Sequence, residues 1–312
     1  MTEFPARLLS CLKAAIRPTW KSCLWLLRLM IPVSLLVVLL KYWGVIAWMA
    51  QYLNPLFCHL GLPGSSAVIF LSGAMAGTYV GLAAMMAIPL TLRQASILGL
   101  MICLCHALPM ECAVNRKTGS SFWKMATIRV VMAFVCAFVL NLLLPPLAYP
   151  FIYLGAADES SFGEVLLTWL VSQLKMTFLV FAIVYTLMTV QRLIESYRLL
   201  EPLSRFLSPL MAVFGLPRNA AYMWLVGNVL GISYGLAVML DLEEKGIINR
   251  EEANDVNHHL IMNHSMLEDT IVFSVTGINA LLIIGTRVAA SIVVVWGRRL
   301  CKSIRLGTAR RR

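Results

Sequence analysis

Apolar runs of span length, separated by short basic or mixed stretches, fill most of this chain. A helical crossing of a bilayer core takes about 20 consecutive apolar residues, so the long runs predict membrane spans. The pattern places them over 22–41, 65–90, 121–145, 176–195, 219–240 and 276–297. Residues 5–21 carry Arg7, Lys13, Arg17 and Lys21 among Leu, Ala and Trp20, which predicts a basic amphipathic helix lying on the membrane surface. Ser161-Phe-Gly-Glu164 has the spacing of a capping box and opens a second surface helix over 161–175. Two further apolar segments, 95–114 and 256–272, are interrupted by polar residues and are expected to dip in and return on the same side. The fold class is therefore all-α.

The chain then repeats itself. Pro55-Leu-Phe-Cys-His-Leu-Gly61-Leu-Pro63 is followed by Gly73, Gly77 and Gly81, and Pro209-Leu-Met-Ala-Val-Phe-Gly215-Leu-Pro217 by Gly227, Gly231 and Gly235. About 14 of 33 positions match without a gap at an offset of ~154, which divides the chain into repeats 1–154 and 155–312. Pro145-Pro146 and Asp158-Glu159 mark the seam. Each repeat is read as a surface amphipathic helix, about three spans and one broken or re-entrant helix. Glycines four residues apart line one face of a helix. They serve close helix packing, or they expose backbone to a substrate path.

Composition fixes the solvent. Hydrophobic residues make up 60% and charged residues 13% of the chain, and the mean hydropathy is +0.80. That charge content is about half the soluble average, so the chain is an integral membrane protein. The net charge of +11 sits outside the apolar runs, where anionic lipid and topology account for it better than nucleic acid does. No small-x-small cleavage site closes Leu24–Leu40, which reads as a retained first span. The eight cysteines lie mostly in or beside apolar segments, against a disulfide framework.

With three crossings per half, both termini are cytoplasmic and the halves are inverted. About 19 Lys/Arg then fall inside and about 4 outside, with Arg28, Arg129 and Arg287 within spans. The net-acidic loop 241–258 is placed outside. The expected location is the bacterial inner membrane.

Beyond the glycines the repeat continues at an offset of ~158. It aligns His106 with His264, Glu111 with Asp269 and Arg129 with Arg287. Ionisable groups at membrane depth are costly and usually line a pathway, so these residues, with Asn263 and Glu268, are the candidate substrate or ion site. The competing reading pairs Arg129 with Glu111 and Arg287 with Asp269 as structural ties. Glu268 has Met110 opposite it in the first half, so a site here is asymmetric. Cys103 and Cys105 beside His106 are candidate metal ligands, although the spacing matches no closed zinc pattern. His258 and His259 are expected to be a solvated pair. Gly-rich phosphate loops, nucleophile elbows and His-Glu-x-x-His patterns do not occur, against an enzyme.

The Gly-Leu-Pro element, glycine ladder and following broken helix resemble the nucleoside-recognition or Gate domain, over roughly 25–145 and 180–297. That domain occurs in concentrative nucleoside transporters, in the membrane part of the bacterial ferrous-iron transporter B, and in spore-maturation proteins A and B. The resemblance implies a transport-type membrane fold and makes a nucleoside or similar small polar solute the first substrate expectation. A divalent-metal permease and a non-transporting assembly subunit are the alternatives. Membrane lipid, a small solute or ion and a homo-oligomeric partner are the expected contacts. No cofactor is expected beyond a coupling H+ or Na+.

Overall fold

A computed structural model describes residues 3–146, 149–155 and 161–309; the Asp158-Glu159 part of the seam lies outside them. In chain order the first half forms α1 (Glu3–Tyr42), α2 (Val45–Phe57), α3 (Ser66–Ala76), α4 (Thr78–Met86), α5 (Leu92–Cys105), α6 (Leu108–Lys117) and α7 (Phe122–Leu143). The second half forms α8 (Phe162–Ser196), α9 (Leu200–Leu207), α10 (Leu210–Val213), α11 (Ala221–Val229), α12 (Ile232–Glu244), α13 (Arg250–Asn263), α14 (Met266–Ser274) and α15 (Ala280–Ala309). Among the described residues the only β pairing is a bridge between Thr91 and Pro150. The all-α membrane class holds: α1, the α5–α6 stretch, α7, α8 and α15 are each long and apolar enough to cross a bilayer.

Contacts divide the chain into two compact units. The first is Met1–Leu108, Ala133–Tyr197 and Glu268–Ala280, and the second is Pro109–Met132, Arg198–Leu267 and Leu281–Arg312. Each unit draws on both sequence halves.

In the first unit α1 and α8 lie antiparallel along their whole length. The Arg7 guanidinium sits over the Tyr197 ring, Trp20 meets Phe181, Ser34 Oγ donates to Gln173 Oε1 at 2.7 Å, and Tyr42 meets Phe162. The expected surface helices over 5–21 and 161–175 are therefore not separate elements; each continues unbroken into the following span. Even Pro18 and Pro32 do not end α1, because packing against α8 extends across both. The Ser161–Glu164 capping box does form, and it opens all of α8.

The glycine ladders also depart from the expected span. Gly77 has φ 109° and ψ 174°, a conformation open to a residue without Cβ, and there the chain turns back. Gly73 and Gly81 would be about 12 Å apart on one straight helix. Instead, a Cβ added to Gly81 would lie 3.0 Å from the Gly73 Cα. The second unit repeats this at Gly231, φ 96°, where a Cβ on Gly235 would lie 2.9 Å from the Gly227 Cα. Segments 65–90 and 219–240 are thus helical hairpins, α3–α4 and α11–α12, each creased at its middle glycine.

The Gly-Leu-Pro triplets end the helix before each hairpin. Gly61 (φ 70°) and Gly215 (φ 71°) are left-handed, and Leu62 N and Leu216 N donate back to Phe57 O and Met211 O. This is the Schellman cap, with Pro blocking further helix.

The broken segment 95–114 belongs to Leu92–Lys117, 26 residues that are long and apolar enough to cross a bilayer, and each unit ties part of it to α7. Arg93 Nη2 donates to Asn141 O at 2.6 Å near the end of α7, whereas Glu111 pairs with Arg129 near its start. The second unit also departs from the expected topology. α13 is antiparallel to α15, with Asp255 2.6 Å from Arg298 and Glu251 against Lys302. The acidic loop 241–258 therefore shares a face with the basic tail, where unlike charges attract, and is not on the opposite side.

Candidate functional site

Both breaks are built alike. α5 and α13 are each opened by a capping box, Thr91 with Gln94 and Asn249 with Glu252, a further pair at the offset of the polar repeat. Each helix ends on a histidine with extended backbone, His106 (ψ 157°) and His264 (ψ 160°). The next residue is left-handed in each case, Ala107 at φ 43° and Ser265 at φ 52°. Its N–H donates to a hairpin glycine carbonyl: Ala107 to Gly73 and Ser265 to Gly227, both at 3.2 Å. Glycine thus does more than let helices approach; its bare backbone receives the hydrogen bond that fixes the break.

In the first unit His106 Nδ1 lies 3.2 Å from the carbonyls of Ile102 and Cys103. A carbonyl only accepts, so Nδ1 carries the hydrogen and Nε2 is turned away, 3.9 Å from Asp269 Oδ2. Thr78 Oγ1 donates to Asp269 Oδ1 at 3.0 Å, and Tyr79 OH donates to Glu268 Oε1 at 3.1 Å. Asp269 is buried. Thr78 and Tyr79 follow the Gly77 crease directly, so the hairpin tip supplies donors to both carboxylates.

In the second unit His264 Nδ1 is 2.8 Å from Leu260 O, and Nε2 is 3.0 Å from Glu111 Oε1. Arg129 Nη1 holds the other Glu111 oxygen. Arg287 donates from Nε to Met262 O at 3.0 Å and from Nη2 to His264 O at 2.6 Å, satisfying carbonyls released where α13 stops. Asn263 Nδ2 reaches Ser291 Oγ at 3.5 Å. Arg129, Arg287, His264 and Asn263 are all fully buried.

Each unit holds some of the sequence-derived candidates. One holds His106, Glu268 and Asp269; the other holds Glu111, Arg129, Asn263, His264 and Arg287. The expected Arg129–Glu111 pair is present. Thr78 and Tyr79 were missed because the second repeat has Ile232 and Ser233 there, so duplication does not flag them. Cys103 and Cys105 are buried on α5, where residues two apart project about 200° from each other; the helix does not converge them beside His106. His258 and His259 are not a solvated pair. Both are buried, and His259 Nδ1 accepts from Trp224 Nε1 at 3.0 Å while its ring packs on Phe214.

Hydropathy, helix content and these residues define a multi-pass, all-α membrane protein. Its residues 23–141 match the model of the Gate family, described as nucleoside recognition. It is similar to the uncharacterized membrane protein YvoD of Bacillus subtilis (strain 168), 28% identical over 290 residues that cover 92% of each chain. No solved structure matches it.

Proposed function

We propose that this protein is a secondary transporter in which the polar cluster of Glu111, Arg129, His264 and Arg287 binds a small polar solute and holds a coupling proton. The observation that carries this reading is the His264–Glu111 contact. With Nδ1 committed to Leu260 O, a 3.0 Å approach of Nε2 to Glu111 needs one proton between imidazole and carboxyl. Without it, a lone pair faces a carboxylate. The pair thus has one proton to accept or release at a buried position, beside two arginines. Discontinuous helices with free backbone groups and buried ionisable residues are how many secondary transporters build their sites.

The Gate description makes nucleosides the first solutes to assay. A histidine beside a carboxylate also suits a divalent cation, which is the second class to assay. Purified protein in proteoliposomes should accumulate a labelled solute from one of these classes when a pH gradient is imposed. Glu111→Gln and His264→Gln should each lower uptake at least tenfold while the protein remains folded. Uptake unchanged in both variants would overturn the reading and leave the cluster as a structural tie.

A further inference from the structure

The second unit contains a groove of about 640 Å³ that the transport cluster does not use. Its walls are aliphatic: Ile128, Val131 and Met132 of α7, with Val293 and Val294 of α15. Lys124, Arg298 and Lys302 line it toward the start of α7 and the end of α15, with Glu251 and His258 of α13. From Lys124 to Met132 the rise is about 12 Å of helix, so the lining passes from cationic to purely apolar over roughly the depth separating a lipid headgroup from its acyl chains.

A second, independent observation concerns His258. The side chain is 1% exposed, its Nδ1 is held by Asn254 O at 2.7 Å, and its Nε2 has no hydrogen-bond partner among the described residues. A buried ring nitrogen left in that state is costly unless something in the groove meets it. With Nδ1 donating to Asn254, Nε2 offers a lone pair that a headgroup hydroxyl can fill. The acids near the groove are accounted for: Glu251 lies against Lys302, with Arg298 3.8 Å away, and Asp255 pairs with Arg298.

We infer that this groove is a binding site for one anionic glycerophospholipid. The phosphate sits among Lys124, Arg298 and Lys302, a headgroup hydroxyl meets His258 Nε2, and an acyl chain lies along Ile128, Val131 and Val293. A free phosphate would leave the aliphatic wall unused, and both walls belong to helices suited to crossing a bilayer. This proposal is independent of the transport reading.

Cys301, an exposed thiol lining the groove, provides the readout. Full-length protein with Cys58→Ser is delipidated in detergent. It is then offered phosphatidylglycerol, phosphatidylcholine or inorganic phosphate, followed by native mass spectrometry and the rate of Cys301 alkylation. One phosphatidylglycerol should be retained in preference to phosphatidylcholine by about tenfold, with slowed alkylation, and Lys124→Gln/Lys302→Gln should abolish the preference. Both lysines are exposed, so the double variant folds; His258→Phe, which keeps the ring volume, should also weaken retention. Equal retention of the two lipids, or preference surviving in the lysine double variant, would overturn the site. So would protection by inorganic phosphate alone, or Cys301 buried in a lipid-free dimer.

Discussion

An ion taken out of water costs several kcal/mol, and the cost is met only when a partner and hydrogen bonds come with it. Arg129 is fully buried and Glu111 is 5% exposed, so each depends on the other. Glu111→Ala should lower stability by about 3–5 kcal/mol by stranding the guanidinium. Thermal unfolding in detergent, followed by tryptophan fluorescence, would show this as a clear drop in the midpoint. Glu111→Leu combined with Arg129→Met should recover most of the loss, because the double change removes both buried charges. A midpoint unaffected by Glu111→Ala would mean that water reaches Arg129. These residues were legible in the sequence because ionisable side chains are rare at membrane depth and here occur twice at one offset. Thr78 and Tyr79 were not. A threonine and a tyrosine are unremarkable in an apolar run, and only the turn at Gly77 aims them at Asp269 and Glu268.

At the scale of elements, the repeat announced that something was built twice but not what. Glycines at four-residue spacing fit one face of a straight helix as well as the two arms of a hairpin. The difference lies in whether the middle glycine leaves the helical region, a backbone choice that hydropathy does not encode. The hairpin makes a distinct prediction. Gly235→Ala would press a methyl to 2.9 Å from the Gly227 Cα, and Gly77→Ala would place a side chain at φ 109°. Each should cost about 1–3 kcal/mol. Gly285→Ala, in α15 with nothing within 4 Å of its added Cβ, should be neutral or stabilise by about 0.5–1 kcal/mol. Three equal midpoints would argue for continuous helices. The contact between α13 and α15 predicts a pH response. The hydrogen bond and charge of Lys302, with a smaller effect of Arg298, hold the Glu251 carboxyl below its ordinary range. A lowered carboxylate stabilises the folded form above the unfolded value, near about 4.3, and loses that effect as the pH falls through the folded value. Amide protection over 298–304, corrected for the intrinsic exchange rate at each pH, should therefore fall as the solution is acidified below about pH 4, and Lys302→Met should abolish the change.

For the molecule as a whole, the hairpins and the broken helix trade places relative to the hydropathy reading. In the first half the glycine stretch turns back and the segment with the break becomes the one long enough to cross. By length and apolar character the number of candidate spans in that half is unchanged. Charge counting does not separate the two assignments, because most Lys and Arg lie in segments that the exchange does not move. The loop after α12 is the sensitive marker. Glu251 and Asp255 meet Lys302 and Arg298, so the loop that leads into α13 belongs on the same face as the tail of α15. Seven of the basic residues lie from Arg298 onward, which predicts that this face is cytoplasmic. In a Cys58→Ser background, Ile247→Cys, at a half-exposed position, should react with a membrane-impermeant thiol reagent from the same side of oriented vesicles as Cys301. Both should be protected in intact cells and reactive in inverted vesicles. Reaction of position 247 from the opposite side to Cys301 would break the antiparallel pairing of α13 with α15, and with it the helix break at His264 that depends on Arg287.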